Sequence, residues 1–490
     1  MNLCLPSEKW KQGFRKQTMK TCMIKFLLVA FIFHLFFPFF CLSQEKNEPV
    51  LETGVEDILE DFNSDQTDVS LLVSNDPEKK NKTSRFDFKG YFKLGVTYNY
   101  AHDAPLNGQT DWRGLSSLCG EVFSQVRIDL SDKWKSVVSL KGFYDAAYDI
   151  HGRSKYTEPV LETDEKALEF REVYIQGSLF KNLDARFGRQ IVVWGTSDNL
   201  RVTDVLNPLD LREPGVTDIE DLRLPITMSK LDLYFGNFSL TGIAVHEQRF
   251  NKNPAFGSDF YPLDAALPRE EIIENDWDNT DLAICLKKGF DKVDISFYLA
   301  RMFNDQAHMY FSNALNPASL TMTHARLNMA GTAAQLATGN FLFKAEAAYF
   351  DGLRFFNRPD KSFSRWDVLF GVEYFGFKET LISLEAVNRH LSDWDSALET
   401  TPDYTLQNDF QTVLRVSKDF LNDRLTLTFL GSMFGLDAKR GAFQRFSMEY
   451  DFTDTWSVLS GIVLYQSGDK IEMKKIGAND RIFFNLKYSF

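Results

Sequence analysis

Eight ionisable side chains crowd the stretch "ARFGRQIVVWGTSDNLRVTDVLNPLDLREPG" (residues 185–215): Arg186, Arg189, Asp198, Arg201, Asp204, Asp210, Arg212 and Glu213. Guanidinium and carboxylate groups this close together can sort or hold a charged solute, because each keeps its charge at neutral pH. They cannot by themselves cut a bond, which needs a nucleophile, a base and an orienting group converging on one point. His102, His151, His246, His308 and His390 fall in or beside different loop-like segments, and His324 falls in a strand-like one with no evident partner. No catalytic constellation is therefore expected, and no metal or cofactor.

The elements that must position these charges read as strands. Residues 185–194 alternate, with Ala185, Phe187, Arg189, Ile191 and Val193 on one face and Arg186, Gly188, Gln190, Val192 and Trp194 on the other. If either face meets hydrocarbon, an arginine meets it too, at about 2–4 kcal/mol near the midplane. A bulge at Gly188 would turn both arginines inward and leave only neutral Gln190 toward lipid. A subunit interface or a covering lid would serve the same end. The segment after Trp194 is longer than an idle connection, and its Val205, Leu206, Leu209 and Leu211 need something to pack against. Residues 195–224 are expected to fold into the lumen as a constriction and set their acids against wall charges such as Arg189. The plainer reading packs them over the mouth.

The same alternation runs through the chain. Its 490 residues are 44% hydrophobic with 45 Phe and a net charge of -13, and the apolar residues alternate with polar ones instead of clustering in long runs. The acidic balance excludes a nucleic-acid partner. At the N-terminus Lys9, Lys11, Arg15, Lys16, Lys20 and Lys25 precede the apolar "FLLVAFIFHLFFPFF", and "CLSQE" follows. Residues 1–43 therefore read as a secretory signal, with Met19 or Met23 as alternative starts. The run is broken by His34 and Pro38 and is short for a spanning anchor. Cys4, Cys22 and Cys41 leave with that segment; Cys119 is expected in a loop and Cys285 in a strand, with no disulfide framework.

Residues 44–84 form an acidic periplasmic segment in which Val55, Ile58, Leu59 and Phe62 have helical spacing. It reads as a linker, or as a peptide that docks a periplasmic partner. From residue 85 to 490, strand-like runs come in pairs joined by tight turns near Asp132, Asn182, Gly236, Asp291, Gly339, Lys378, Asn422 and Asp454. Eight turns and nine longer loops predict eighteen antiparallel strands. That layout is all-β, a transmembrane barrel in which closure satisfies every backbone group.

Within the strands, Arg127, Asp129, Lys287, Lys344, Glu346, Glu385, Arg445 and Glu449 oppose apolar neighbours and are expected to line the lumen, as is Lys487. Charges of both signs could equally brace the wall in pairs, and no ion preference follows from them. In the last strand, "RIFFNLKYSF", Ile482, Phe484, Leu486, Tyr488 and Phe490 share one face. It resembles the C-terminal signal that the barrel-assembly machinery reads in bacterial outer-membrane barrels. "FGRQIVVWG", "NPLD" and "LRLPITMSKLDLYF" together resemble a proteobacterial outer-membrane barrel family of unknown function, often encoded near RND-type exporters and a periplasmic lipoprotein-like carrier. The resemblance implies a porin-like barrel in a Gram-negative outer membrane, surrounded by lipid. The expected function is passage of small solutes through a charged lumen. The alternative is an outlet for an export or hydrophobe-handling assembly, docked through residues 44–84. A homo-oligomer is compatible with either.

Overall fold

A computed structural model describes residues 85–490 apart from 107, 218 and 314; the signal (1–43) and acidic segment (44–84) lie outside the described residues. The strands are β1 (Phe86–Asn99), β2 (Gly114–Asp129), β3 (Trp134–Asp145), β4 (Lys166–Phe180), β5 (Leu183–Gln190), β6 (Ile226–Phe235), β7 (Phe238–Val245), β8 (Asp281–Gly289), β9 (Val293–Phe303), β10 (His308–Phe311), β11 (Leu320–Thr323), β12 (Arg326–Thr338), β13 (Phe341–Leu353), β14 (Phe363–Phe377), β15 (Thr380–Leu391), β16 (Asn408–Phe420), β17 (Leu425–Phe434), β18 (Ala442–Asp451), β19 (Trp456–Gln466) and β20 (Arg481–Ser489). All but β10 and β11 form one 18-stranded antiparallel sheet. β10 and β11 pair as a separate hairpin within the loop after β9.

The sheet closes because β20 pairs with β1 in register from Tyr91↔Ser489 to Asn99↔Arg481. Phe490 finishes the seam by exchanging two 2.9 Å backbone hydrogen bonds with Gly90. Its ring lies 5.5 Å from that of Phe88 and 5.3 Å from that of Phe92. Each expected tight turn joins two strands, from residues 130–133 to residues 452–455. The wall rises further than the alternation indicated at β2, which begins at Gly114 and holds Cys119 opposite Gly95 instead of leaving it in a loop.

Period-2 alternation divides the wall into two faces. Phe86, Phe88, Phe92, Leu94, Leu168, Phe170, Leu282, Ile284, Phe297, Leu299, Phe341, Phe343, Phe370, Ile482 and Phe484 are large, apolar and exposed. A closed sheet with this outer surface is an outer-membrane barrel. No described helix is long and apolar enough to cross a membrane, so strands do the crossing.

The registers put Asp87, Lys93 and Lys487, Arg127, Lys141, Lys230, Lys287, Lys344 with Glu346, Glu385, Arg415 and Arg445 with Glu449 on the opposite, inner face. The wall is lowest around β5 and β7, with eight residues each, against 14 and 16 in β1 and β2.

Gly188 does not bulge. The β4–β5 ladder runs Ile175↔Phe187, Tyr174↔Gly188, Val173↔Arg189 without a shift, and β5–β6 is equally continuous. Gln190 falls on the inner face opposite Ile226 and is fully buried, so lipid does not receive it. Gly188 is needed for a different reason: its φ is +126°, and a Cβ there would lie 2.2 Å from the Val173 carbonyl oxygen. Gly188→Ala is expected to cost on the order of 2 kcal/mol or more. It should lower the temperature at which the folded, fast-migrating form is lost on gels; an unchanged temperature would contradict this account.

Candidate functional site

The segment between β5 and β6 turns inward at once. Asn207, completely buried, staples its two ends: its Oδ1 accepts from Val192 N at 2.8 Å, and its Nδ2 donates to Gln190 O at 3.2 Å and Leu224 O at 2.9 Å. Inside that staple Asp204 bonds Arg223 at 2.9 Å and Arg201 at 3.3 Å, while Arg201 also donates to Asn207 O at 2.8 Å. Val192, Trp194, Leu200, Val202 and Leu206 share one buried apolar cluster with inner-face Met228, Tyr298, Met329, Leu369, Val387 and Val413. Those are the contacts that the segment's leucines and valines required. They place it within the barrel, against the wall from β6 to β16.

Two wall carboxylates hold its tip. Glu346 on β13 accepts from Thr196 N at 2.6 Å, Ser197 N at 2.9 Å and Thr203 N at 3.0 Å, and from the Thr203 hydroxyl at 2.7 Å. Glu385 on β15 accepts from the Ser197 hydroxyl at 2.7 Å, Asp198 N at 3.0 Å and Asn199 N at 3.1 Å. Lys344 lies at 2.5 Å from Asp198 and 2.7 Å from Glu373. Gly195 permits the approach, with φ +86° and room for no Cβ, which would sit 2.6 Å from Glu346 Oε1. Asp198, Glu373 and Glu385 bring carboxylate oxygens within 4.8 Å of one another, a possible cation cage among the described residues. The Lys344 ammonium already supplies positive charge there.

The segment then crosses to the far wall. Tyr465 donates to Pro214 O at 2.7 Å, and Arg445 donates to Val216 O at 3.0 Å. Arg212 pairs with Asp210 at 2.6 Å and Asp164 at 2.8 Å. Glu213 stands 4.0 Å from Arg481. The long connection between β7 and β8 joins it, a role that the sequence reading did not assign. Leu209 N donates to Asn251 Oδ1 at 2.6 Å, Asp259 binds Arg481 at 2.7 Å, and Phe260 packs with Val463, Tyr465 and Phe483. Its run "FGSDFYPLD" carried a signal for this, because three aromatic rings in a polar loop need apolar partners.

Arg189 finds different partners from those expected. Its guanidinium lies 3.1 Å from Glu169 and 3.4 Å from Glu247 and donates to Pro225 O, one residue from the end of β5. Asp198, Asp204, Asp210 and Glu213 lie by other cations, and none of these four is its counter-ion. Arg186 is buried on the inner face over the Tyr174 ring. His324, placed between β11 and β12 and not in a strand, has both ring nitrogens occupied, by Asn304 O at 2.6 Å and Glu270 at 2.9 Å.

Charge states follow the packing. Burial pushes the Asp198 carboxyl up, but Lys344 and the hydrogen bond with Glu373 outweigh it and leave the group below its ordinary value. Asp210 shows the same balance, with Arg212 prevailing over burial. Of the side chains of Glu213 and Asp198, 58% and 46% still meet lumen water.

A family model described as "Protein of unknown function (DUF1302)" matches residues 102–490. No curated protein matches the chain. Among solved structures, OccAB4 of Acinetobacter baumannii is similar with a TM-score of 0.49 and 11% identity, over 84% of this chain and 100% of that one. OccK5 (OpdH) of Pseudomonas aeruginosa is similar with a TM-score of 0.47 and 7% identity, over 83% and 98%. OpdK of Pseudomonas aeruginosa, solved with vanillate, is similar with a TM-score of 0.48 and 8% identity, over 82% and 98%.

Glu346→Ala leaves three loop N–H donors without their acceptor, a loss on the order of 3 kcal/mol. Residues 195–203 are expected to become open to protease in detergent while the barrel keeps its heat-modifiable mobility. Unchanged protection would show that other contacts hold the tip.

Proposed function

The chain belongs to the DUF1302 family, and from that premise we propose that it is a porin-like channel through which small polar solutes cross the outer membrane. Residues 195–224 form its constriction. The observation that carries this reading is the wet charge at the narrowing: Asp198 and Glu213 sit inside a closed wall yet remain 46% and 58% exposed. A lumen sealed by packing would bury such groups or neutralise them completely, because an unpaired buried charge costs several kcal/mol.

The constriction is built to stay put. Its tip is tied to Glu346 and Glu385 and its base is stapled by Asn207, three side chains that are themselves buried and so have no room to change rotamer. Solutes therefore meet a fixed opening and not a swinging lid. Arg201, Asp204, Asp210 and Arg212 brace the segment against itself, and Asp198, Glu213 and Asp221 are acids among its described residues that still face water.

The purified full chain in planar bilayers is expected to give steady open conductance without a partner protein. The Glu346→Ala/Glu385→Ala variant should raise the unitary current, by about twofold if the tip leaves the eyelet. Silence from an assembled, heat-modifiable barrel would overturn the channel reading.

A further inference from the structure

The lumen has two unlike walls. From β13 to β15 the inner-face carboxylates Glu346 and Glu385 are consumed by the constriction's backbone, and Glu373 by Lys344. From β20 through β1 and β2 to β3 and β4 the inner face carries both signs, with Asp87, Asp129 and Asp145 on it, but its lysines gather at the closing seam. Lys93 sits directly opposite Lys487 across the closing seam. Like charges placed so are destabilising, and Lys487 makes no ion pair among the described residues.

Glu121 is the carboxylate that serves this row. It lies 2.9 Å from Lys93 and 3.2 Å from Lys141 and accepts from Tyr91 Oη at 2.7 Å, so one negative charge is divided between two ammonium groups. Arg171 lies within electrostatic reach of Lys141 on the same wall and donates to Arg223 O at the base of the constriction. The constriction's Asp221 is close enough to Tyr91 to act on it. Glu169, the register neighbour of Lys141, is engaged by Arg189, Arg249 and Lys252. At the seam itself Lys93 and Lys141 share Glu121, and Lys487 has no carboxylate partner among the described residues. The Lys93 and Lys141 side chains keep 30% and 34% of their surface open.

We propose that the Lys93–Lys487–Lys141 row is an anion-accepting surface that makes this channel select small anions. The inference rests on the channel reading above and goes beyond it by assigning the charge of the solute. An anion entering between Lys93 and Lys487 relieves their mutual repulsion, and the ammonium groups replace part of its hydration shell. A cation meets the same row as a barrier, while Glu346, Glu385, Glu373 and Asp198 are already tied to N–H donors or to Lys344.

The test uses the full chain in planar bilayers under an about tenfold KCl gradient, reading the zero-current potential. The native barrel is expected to pass chloride at least about twofold over potassium, and Lys93→Gln/Lys487→Gln to bring that ratio to about one or below. Lys378→Gln, in an exposed periplasmic turn, should leave the ratio unchanged. If the double variant does not reach its heat-modifiable form, Lys141→Gln asks the same question from a strand away. A conducting barrel that prefers potassium, or a ratio that no lysine variant moves, overturns the anion assignment and leaves the channel standing. Absence of current from the native barrel overturns the channel reading, and this inference with it.

Discussion

No backbone N–H or C=O can be left unpaired in hydrocarbon, and this single constraint organises the molecule. It forces the sheet to close, which β20 does on β1 with Phe490 completing the ladder at Gly90. Closure fixes an inside and an outside, and period-2 alternation then sends the aromatic and aliphatic residues to lipid and the charges to the lumen. The same constraint reaches the segment that leaves β5. Once a loop enters the barrel its N–H groups also need acceptors, and Asn207, Glu346 and Glu385 provide them.

The low part of the wall explains where the charged rim lies. β5 and β7 stop after eight residues, and the connections that follow them fold inward together. Arg189 ends up at the top of β5, where alternation alone would turn it outward beside Phe187. Its cost is met by Glu169 and Glu247 at the rim, so the strand needs no bulge to hide it. Glu169 gathers Arg249 and Lys252 as well and joins the two inward connections through one carboxylate.

Electrostatics divides the interior by use. Carboxylates on β13 and β15 are structural, since backbone N–H groups of the constriction occupy their oxygens. Near the seam Lys93 and Lys141 share the single carboxylate Glu121 and keep 30% and 34% of their side chains open. A count of lumen charges hides this, because it weighs a clamped Glu346 the same as a water-facing Lys93. The functional balance depends on which charges remain uncommitted after the constriction has taken its share.

Strand number, turn positions, the outward face of β20 and the inward placement of Arg127, Lys287, Lys344, Glu385 and Arg445 were legible in the sequence. Each depends on a local rule, either two-residue alternation or the turn chemistry of Gly, Asn and Asp. The length and stray leucines of residues 195–224 also announced a segment in need of a packing partner. Tertiary structure alone decided which partner. Glu346 lies some 150 positions from Thr196 and Glu385 almost 190 from Ser197, and no periodicity links residues so far apart. Closure and strand register bring them together, which is why Arg189 was paired with the wrong acids, Gln190 was assigned to lipid and the contacts of Asn251, Asp259 and Phe260 with the constriction and the far wall went unseen. The sequence by itself determined a closed, charged-inside barrel, because that follows from pairing every backbone group in lipid. Which charges are clamped and which stay open to solutes emerged only when distant strands became neighbours.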